Sequence, residues 1–130
     1  MRLLVDTNVF LELLLSQVRA AEARQFLETA ERHEFFVSDY ALHSIGLLLL
    51  RRKQPETFRQ FLSDVTAGVR MVSLLASELG AVIDAAARFS LDFDDAYQYA
   101  VADKYGLTIV SFDADFDRTA RGRKAPAEVL

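Results

Sequence analysis

Seven aspartates fall within the twenty-seven residues from Leu91 to Asp117, LDFDDAYQYAVADKYGLTIVSFDADFD, and another, Asp6, breaks an apolar run near the start in RLLVDTNVF. A carboxylate in such a place has two uses. It can cap a helix and complement its dipole, as Asp92 with Asp95 three residues on would in a capping-box spacing. Alternatively, several can converge on a hard divalent cation, Mg²⁺ or Mn²⁺, which takes oxygen ligands. Like charges gathered in one cleft repel and raise one another's pKa, and a cation removes that cost. It also lowers the pKa of a bound water and neutralises charge developing on a phosphodiester. For any single aspartate the capping reading is the stronger. For the set it weakens, because of where the surrounding elements put them.

Those elements alternate. Arg2–Val5 reads as a short buried strand, followed by a helix opening at Thr7 or Asn8, both good cap types. A second helix is expected over Val18–Arg32, a strand over Phe35–Ser38 and a helix over Asp39–Arg52. Pro55 suits a first helical position, and Phe58, Phe61, Leu62 and Val65 give its helix an apolar stripe. Val69–Leu74 reads as a strand, and Ser77–Phe89 as a helix with Leu79, Val82, Ile83 and Ala86 facing inward. A further helix opens near Asp92 and buries Phe93, Ala96, Tyr97, Ala100 and Val101. Thr108–Phe112 is a strand, Asp115–Ala120 a helical turn, and Val129–Leu130 a last edge strand. No hairpin signal joins two strands, so the pattern predicts one α/β domain over residues 1–130, with a mostly parallel central sheet flanked by helices.

In open parallel sheets, ligand sites form beyond the carboxyl ends of the strands. Asp6 ends the first strand, Asp113 ends the Thr108–Phe112 strand, and Asp92, Asp94 and Asp95 open a helix facing the same edge. Three segments can therefore bring carboxylates together.

Composition narrows the alternatives. The chain has 130 residues, 52% hydrophobic and 26% charged, which suits a packed soluble domain. It has no cysteine, which excludes disulfides, zinc–thiolate sites and thiol catalysis and makes the cytoplasm the default compartment. No apolar run is long enough to span a bilayer, and no signal-peptide cleavage site follows the first residues. Five glycines and no Gly-rich motif exclude a phosphate loop. The net charge of −4 advertises no global affinity for nucleic acid. Of the two histidines, His33 falls in a polar stretch and is expected to be exposed, and His43 reads as a partly buried helix residue rather than a ligand.

The opening LLVDTNVFLELL, the later DDAYQYAVADKYGLTIVSFDADF and the length between them resemble the PIN-domain nucleases, with the VapC-like toxins of toxin–antitoxin pairs the most similar subgroup in size. The resemblance covers essentially the whole chain. It implies a PIN-like α/β/α sandwich and a Mg²⁺- or Mn²⁺-dependent endoribonuclease that leaves a 5′-phosphate and a 3′-hydroxyl. The family's metal-binding aspartates fall on Asp6, Asp95 and Asp113, which would be both the metal-binding and the catalytic residues. Asn8 and Ser111 match positions that support the site by hydrogen bonding, and Asp115 is a further candidate ligand. Asp94 is one too, because the Asp94–Asp95 pair leaves two registers; Ala96 after Asp95 favours Asp95. The chain departs from the family at one place. The glutamate early in the helix after the second strand is replaced by Ser44, which supplies no charge and leaves Asp39, with His43 one turn on, to compensate.

The expected partners are an RNA substrate, a second copy of the chain packed through the apolar Asp39–Arg52 helix, and an antitoxin protein; no membrane is among them. Arg118, Arg121, Arg123 and Lys124 form either a solvated tail or a clamp for the RNA backbone. Tyr40 and Tyr97 are candidates to stack on unpaired bases, against a plainer reading as core or rim packing. Two rival functions stand beside the nuclease: a catalytically impaired PIN-like binding module, marked by Ser44, and a metal-dependent small-molecule phosphatase, for which no nucleophile-and-lysine set is evident.

Overall fold

The computed structural model describes every residue from Met1 to Leu130. Four parallel strands form one sheet in the order β3-β2-β1-β4: β1 (Arg2–Val5), β2 (Glu34–Ser38), β3 (Val69–Val72) and β4 (Thr108–Val110). Six helices cover it: α1 (Thr7–Leu14), α2 (Ala20–Leu27), α3 (Asp39–Arg51), α4 (Pro55–Gly68), α5 (Leu79–Phe89) and α6 (Phe93–Tyr105).

The strand pleat sorts side chains between two cores. Leu3, Val5, Phe35, Val37 and Val110 point to the face covered by α1–α4, where Phe26, Ile45 and Leu49 are fully buried. Leu4, Phe36 and Ile109 point to the opposite face, against α5 and α6. A strand covered on both sides must be apolar at successive positions, which is why β1 reads as a run and not as an alternation. The mostly parallel sheet flanked by helices, expected from the alternating pattern, is thus the one observed, and it forms the α/β/α sandwich that the resemblance implies.

Several boundaries differ from expectation. The second helix is confined to Ala20–Leu27; Val18 is 99% exposed and belongs to the preceding turn. β3 ends at Val72 instead of Leu74. The helix expected over Ser77–Phe89 is a 3₁₀ turn at Ala76–Glu78 followed by α5, and the helical turn expected over Asp115–Ala120 is a 3₁₀ turn at Ala114–Arg118. β4 stops at Val110, because Ser111 and Phe112 turn away to make side-chain contacts. The chain end is not an edge strand: Pro126–Val129 is a 3₁₀ turn whose Val129 plugs the first core, while a single bridge joins Val110 to Lys124.

Five other expectations about exposure fail. Phe93, expected inside, is 53% exposed at the first turn of α6. Leu79 and Ile83 likewise face solvent. His43 is exposed. His33 is half-buried, its Nε2 donating to the Val129 carbonyl at 2.9 Å.

Candidate metal centre

The sheet order places the site. Successive strands run outward from β1 through β2 to β3, then β4 returns to the other side of β1. The carboxyl ends of β1 and β4 flank this reversal, which is where a parallel sheet opens a crevice. Asp6 follows β1 there, and Ser111 and Asp113 follow β4.

Asp6 is buried and held on three sides. Its Oδ1 accepts from the Thr7 amide at 2.8 Å and from Gln98 Nε2 at 3.0 Å, and its Oδ2 accepts from Ser111 Oγ at 2.7 Å. Ser111 Oγ in turn accepts from Asn8 Nδ2 at 3.1 Å and from the Asp113 amide at 2.9 Å, while Asn8 Oδ1 accepts from the Phe112 amide. One hydroxyl therefore ties the end of β1 to the end of β4 and fixes the rotamer of Asp6. Asn8 and Ser111 both belong to the hydrogen-bond network around Asp6.

Asp95 sits in the first turn of α6, where its backbone amide donates to the capping Asp92. Asp113 caps the next 3₁₀ turn by accepting from the Asp115 amide at 2.8 Å. Capping and convergence therefore coexist: one carboxylate oxygen from each of Asp95, Asp113 and Asp115 lies within 4.8 Å of the others. Asp6, Asp94, Asp95 and Asp113 line one cleft of about 190 Å³, whose other walls include Asn8, Tyr40, Ser44 and Gln98.

The electrostatics register this crowding. Burial, then the charges of Asp113, Asp92 and Asp6, push the Asp95 carboxyl up to about 8. Burial also raises Asp6, opposed by the hydrogen bonds from Gln98, Ser111 and Thr7 and reinforced by Asp113. Without a counter-charge Asp95 holds its proton at neutral pH. This donor set is all oxygen, carries several carboxylates and is charge-starved of cations, which fits a hard divalent ion and not a soft one.

The remaining candidates are distributed as follows. Ser44 lines the cleft. Asp39 lies apart from the cleft lining: its Oδ1 accepts from Tyr97 Oη at 2.8 Å and from the Tyr40 amide, so it anchors an aromatic side chain. Arg118, Arg121 and Arg123 are each paired internally, with Asp115, Asp103 and Asp117 respectively, and Lys124 is exposed.

Sequence reasoning missed Gln98. It is buried, donates to Asp6, and leaves its own Oε1 without a hydrogen-bond partner. The signal was available: Gln98 is three residues after Asp95, and i, i+3 positions share a helix face.

A PIN domain model matches residues 3–122. No curated protein sequence matches the chain. Among solved structures, VapBC2 from Rickettsia felis bound to a DNA fragment from its promoter is similar with a TM-score of 0.78 and 14% identity, over 95% of this chain and 97% of that one. A toxin–antitoxin complex from Klebsiella pneumoniae is similar at 0.74 and 21% identity, over 95% and 96%. The Sarcin-Ricin loop cleaving toxin VapC20 of Mycobacterium tuberculosis is similar at 0.77 and 21% identity, over 92% and 95%. At these identities the likeness speaks for the fold.

Proposed function

The chain belongs to the PIN domain family, and from that premise we propose that it is a Mg²⁺- or Mn²⁺-dependent endoribonuclease, a single-domain cytoplasmic toxin of a toxin–antitoxin pair. The observation that carries this reading is the convergence of Asp95, Asp113 and Asp115 beside the buried, triply held Asp6.

Asp6, Asp95 and Asp113 are the residues that would hold the ion, with Asp115 or Asp94 beside them. When bound, such a cation supplies a water of lowered pKa and offsets charge building on the phosphate. The chain's own contribution is positioning. Gln98, Ser111 and the Thr7 amide keep Asp6 in one rotamer, and Ser111 sets the spacing of Asp6 and Asp113. Asp95, whose carboxyl is pushed up to about 8, would have to lose its proton to hold an ion. In-line hydrolysis of the phosphodiester leaves a 5′-phosphate and a 3′-hydroxyl.

The partners follow the same reading. Similar folds include a Sarcin-Ricin loop cleaving toxin and a toxin–antitoxin complex. An apolar trough of about 260 Å³ between α1, α2 and α4, lined by Phe10, Leu14, Phe61 and Val65 among others, offers a protein partner a seat. Leu47 and Leu50 on the outer face of α3, 45% and 55% exposed, offer a second copy of the chain another.

One observation favours the alternative of a binding module without catalysis: Ser44 brings no charge to the cleft wall where the family glutamate is expected. Loading wild-type protein with Mn²⁺ and incubating it with a mixed RNA pool separates the two. Metal-dependent cleavage with 5′-phosphate ends supports the nuclease, and intact RNA at saturating Mn²⁺ supports the module.

A further inference from the structure

The acidic cleft has an aromatic rim. Tyr40 lines the cleft, and its ring packs edge-on against Phe93 at 5.6 Å between centroids and at a tilt of 34° against Tyr97 at 5.2 Å. Tyr97 Oη donates to Asp39, which tethers that ring at its polar end, and the neighbouring Asp94 carboxylate raises the pKa of the Tyr40 hydroxyl. Phe93 has no such tether and leaves about half its surface, 53%, in water, two residues before Asp95. The ring stands at the first turn of α6, next in the chain to the cleft-lining Asp94 and in contact with the cleft-lining Tyr40.

The charges around it restrict what it can hold. Asp92 and Asp94 flank Phe93, and four carboxylates line the cleft. The three arginines of the tail are engaged in ion pairs. Little free cation faces a phosphate backbone here, whereas a nucleobase is neutral and has a π-face that an aromatic ring can meet. A base inside a duplex offers no such face.

We propose that Phe93, backed by Tyr40, is a stacking platform for an unpaired base next to the scissile phosphate. Phe93 is thereby a positioning residue that selects an unpaired base over a paired one beside the cleft. The proposal rests on the ribonuclease reading for the identity of the polymer.

The chain contains no tryptophan, so Phe93→Trp installs a lone fluorophore at the proposed contact. Titrating Phe93→Trp, in an Asp113→Asn background that binds without cutting, with a short unpaired RNA is expected to quench its emission; the same RNA annealed into a duplex leaves it unchanged. In that background Phe93→Leu and Phe93→Ala weaken binding of the unpaired RNA about 5- to 150-fold, while Phe93→Tyr keeps it. Full affinity in Phe93→Leu, or quenching by duplex equally, overturns the platform, and full affinity in Phe93→Leu turns the rim into an apolar patch for a protein. Mn²⁺-dependent cleavage by the wild-type chain is scored separately. Cleavage that ignores the ring sinks the stacking alone, and ring-dependent binding without cleavage sinks the hydrolysis alone.

Discussion

At the scale of single residues, the site is a set of carboxylates that the fold holds closer than water alone tolerates. Asp95 titrates near 8 in the folded chain against 3.8 for a free side chain. Between those values the folded state binds more protons than the unfolded one, so stability of the metal-free protein falls as pH rises through that window. Urea denaturation across pH 4–8 is expected to show this decline, and Asp95→Asn flattens it. Proton and metal compete for the same oxygens, so Mn²⁺ affinity climbs as pH rises toward 8 and then levels. Gln98→Ala removes a hydrogen bond to a charged, buried partner and is expected to cost about 1.5–3 kcal/mol of stability, read from the denaturation midpoint. Ser44→Glu returns a negative charge to the cleft wall and is expected to tighten Mn²⁺ about tenfold, since ligand charge sets affinity in oxygen sites. Asp6, Asp95 and Asp113 were legible because each stands at a strand end or helix start. Gln98 was overlooked because a glutamine between two tyrosines reads as ordinary helix filler until its neighbour across the sheet is known.

At the scale of elements, the strand and helix order was legible because each element carries its own periodicity. The endings were less so, since they depend on tertiary partners. β4 gives up two expected residues to let Ser111 reach Asp6 and the Phe112 amide reach Asn8. Val129 is drawn into the core as part of a 3₁₀ turn, a placement no local pattern encodes. Phe93 fits a helical stripe by spacing, yet is exposed at the first turn of α6. The α5–α6 corner turns on Ser90, a non-glycine residue at φ 55°, whose carbonyl accepts from Arg118. Ser90→Gly relieves the left-handed backbone and is expected to raise stability by about 0.5–1 kcal/mol in thermal unfolding, with Mn²⁺ binding unchanged.

At the scale of the whole molecule, the sequence announces more apolar surface than one chain buries, without saying what covers it. The trough between α1, α2 and α4 and the outer face of α3 are separate surfaces, each free to seat a different partner. If α3 is the self-interface, Leu47→Arg with Leu50→Arg converts a dimer to a folded monomer in sedimentation, since both side chains lie outside the core. No helix is long and apolar enough to cross a bilayer. The central claim is nonetheless about the crevice between β1 and β4. The most direct test is calorimetric titration of Mn²⁺ into wild type, Asp6→Asn and Asp113→Asn at pH 8, with RNA cleavage followed in the same samples. The account predicts a saturable site in wild type that weakens at least tenfold in both variants, together with loss of cleavage. Wild-type protein that binds no Mn²⁺ at millimolar concentration, with RNA left whole, contradicts it and leaves the aspartates as caps.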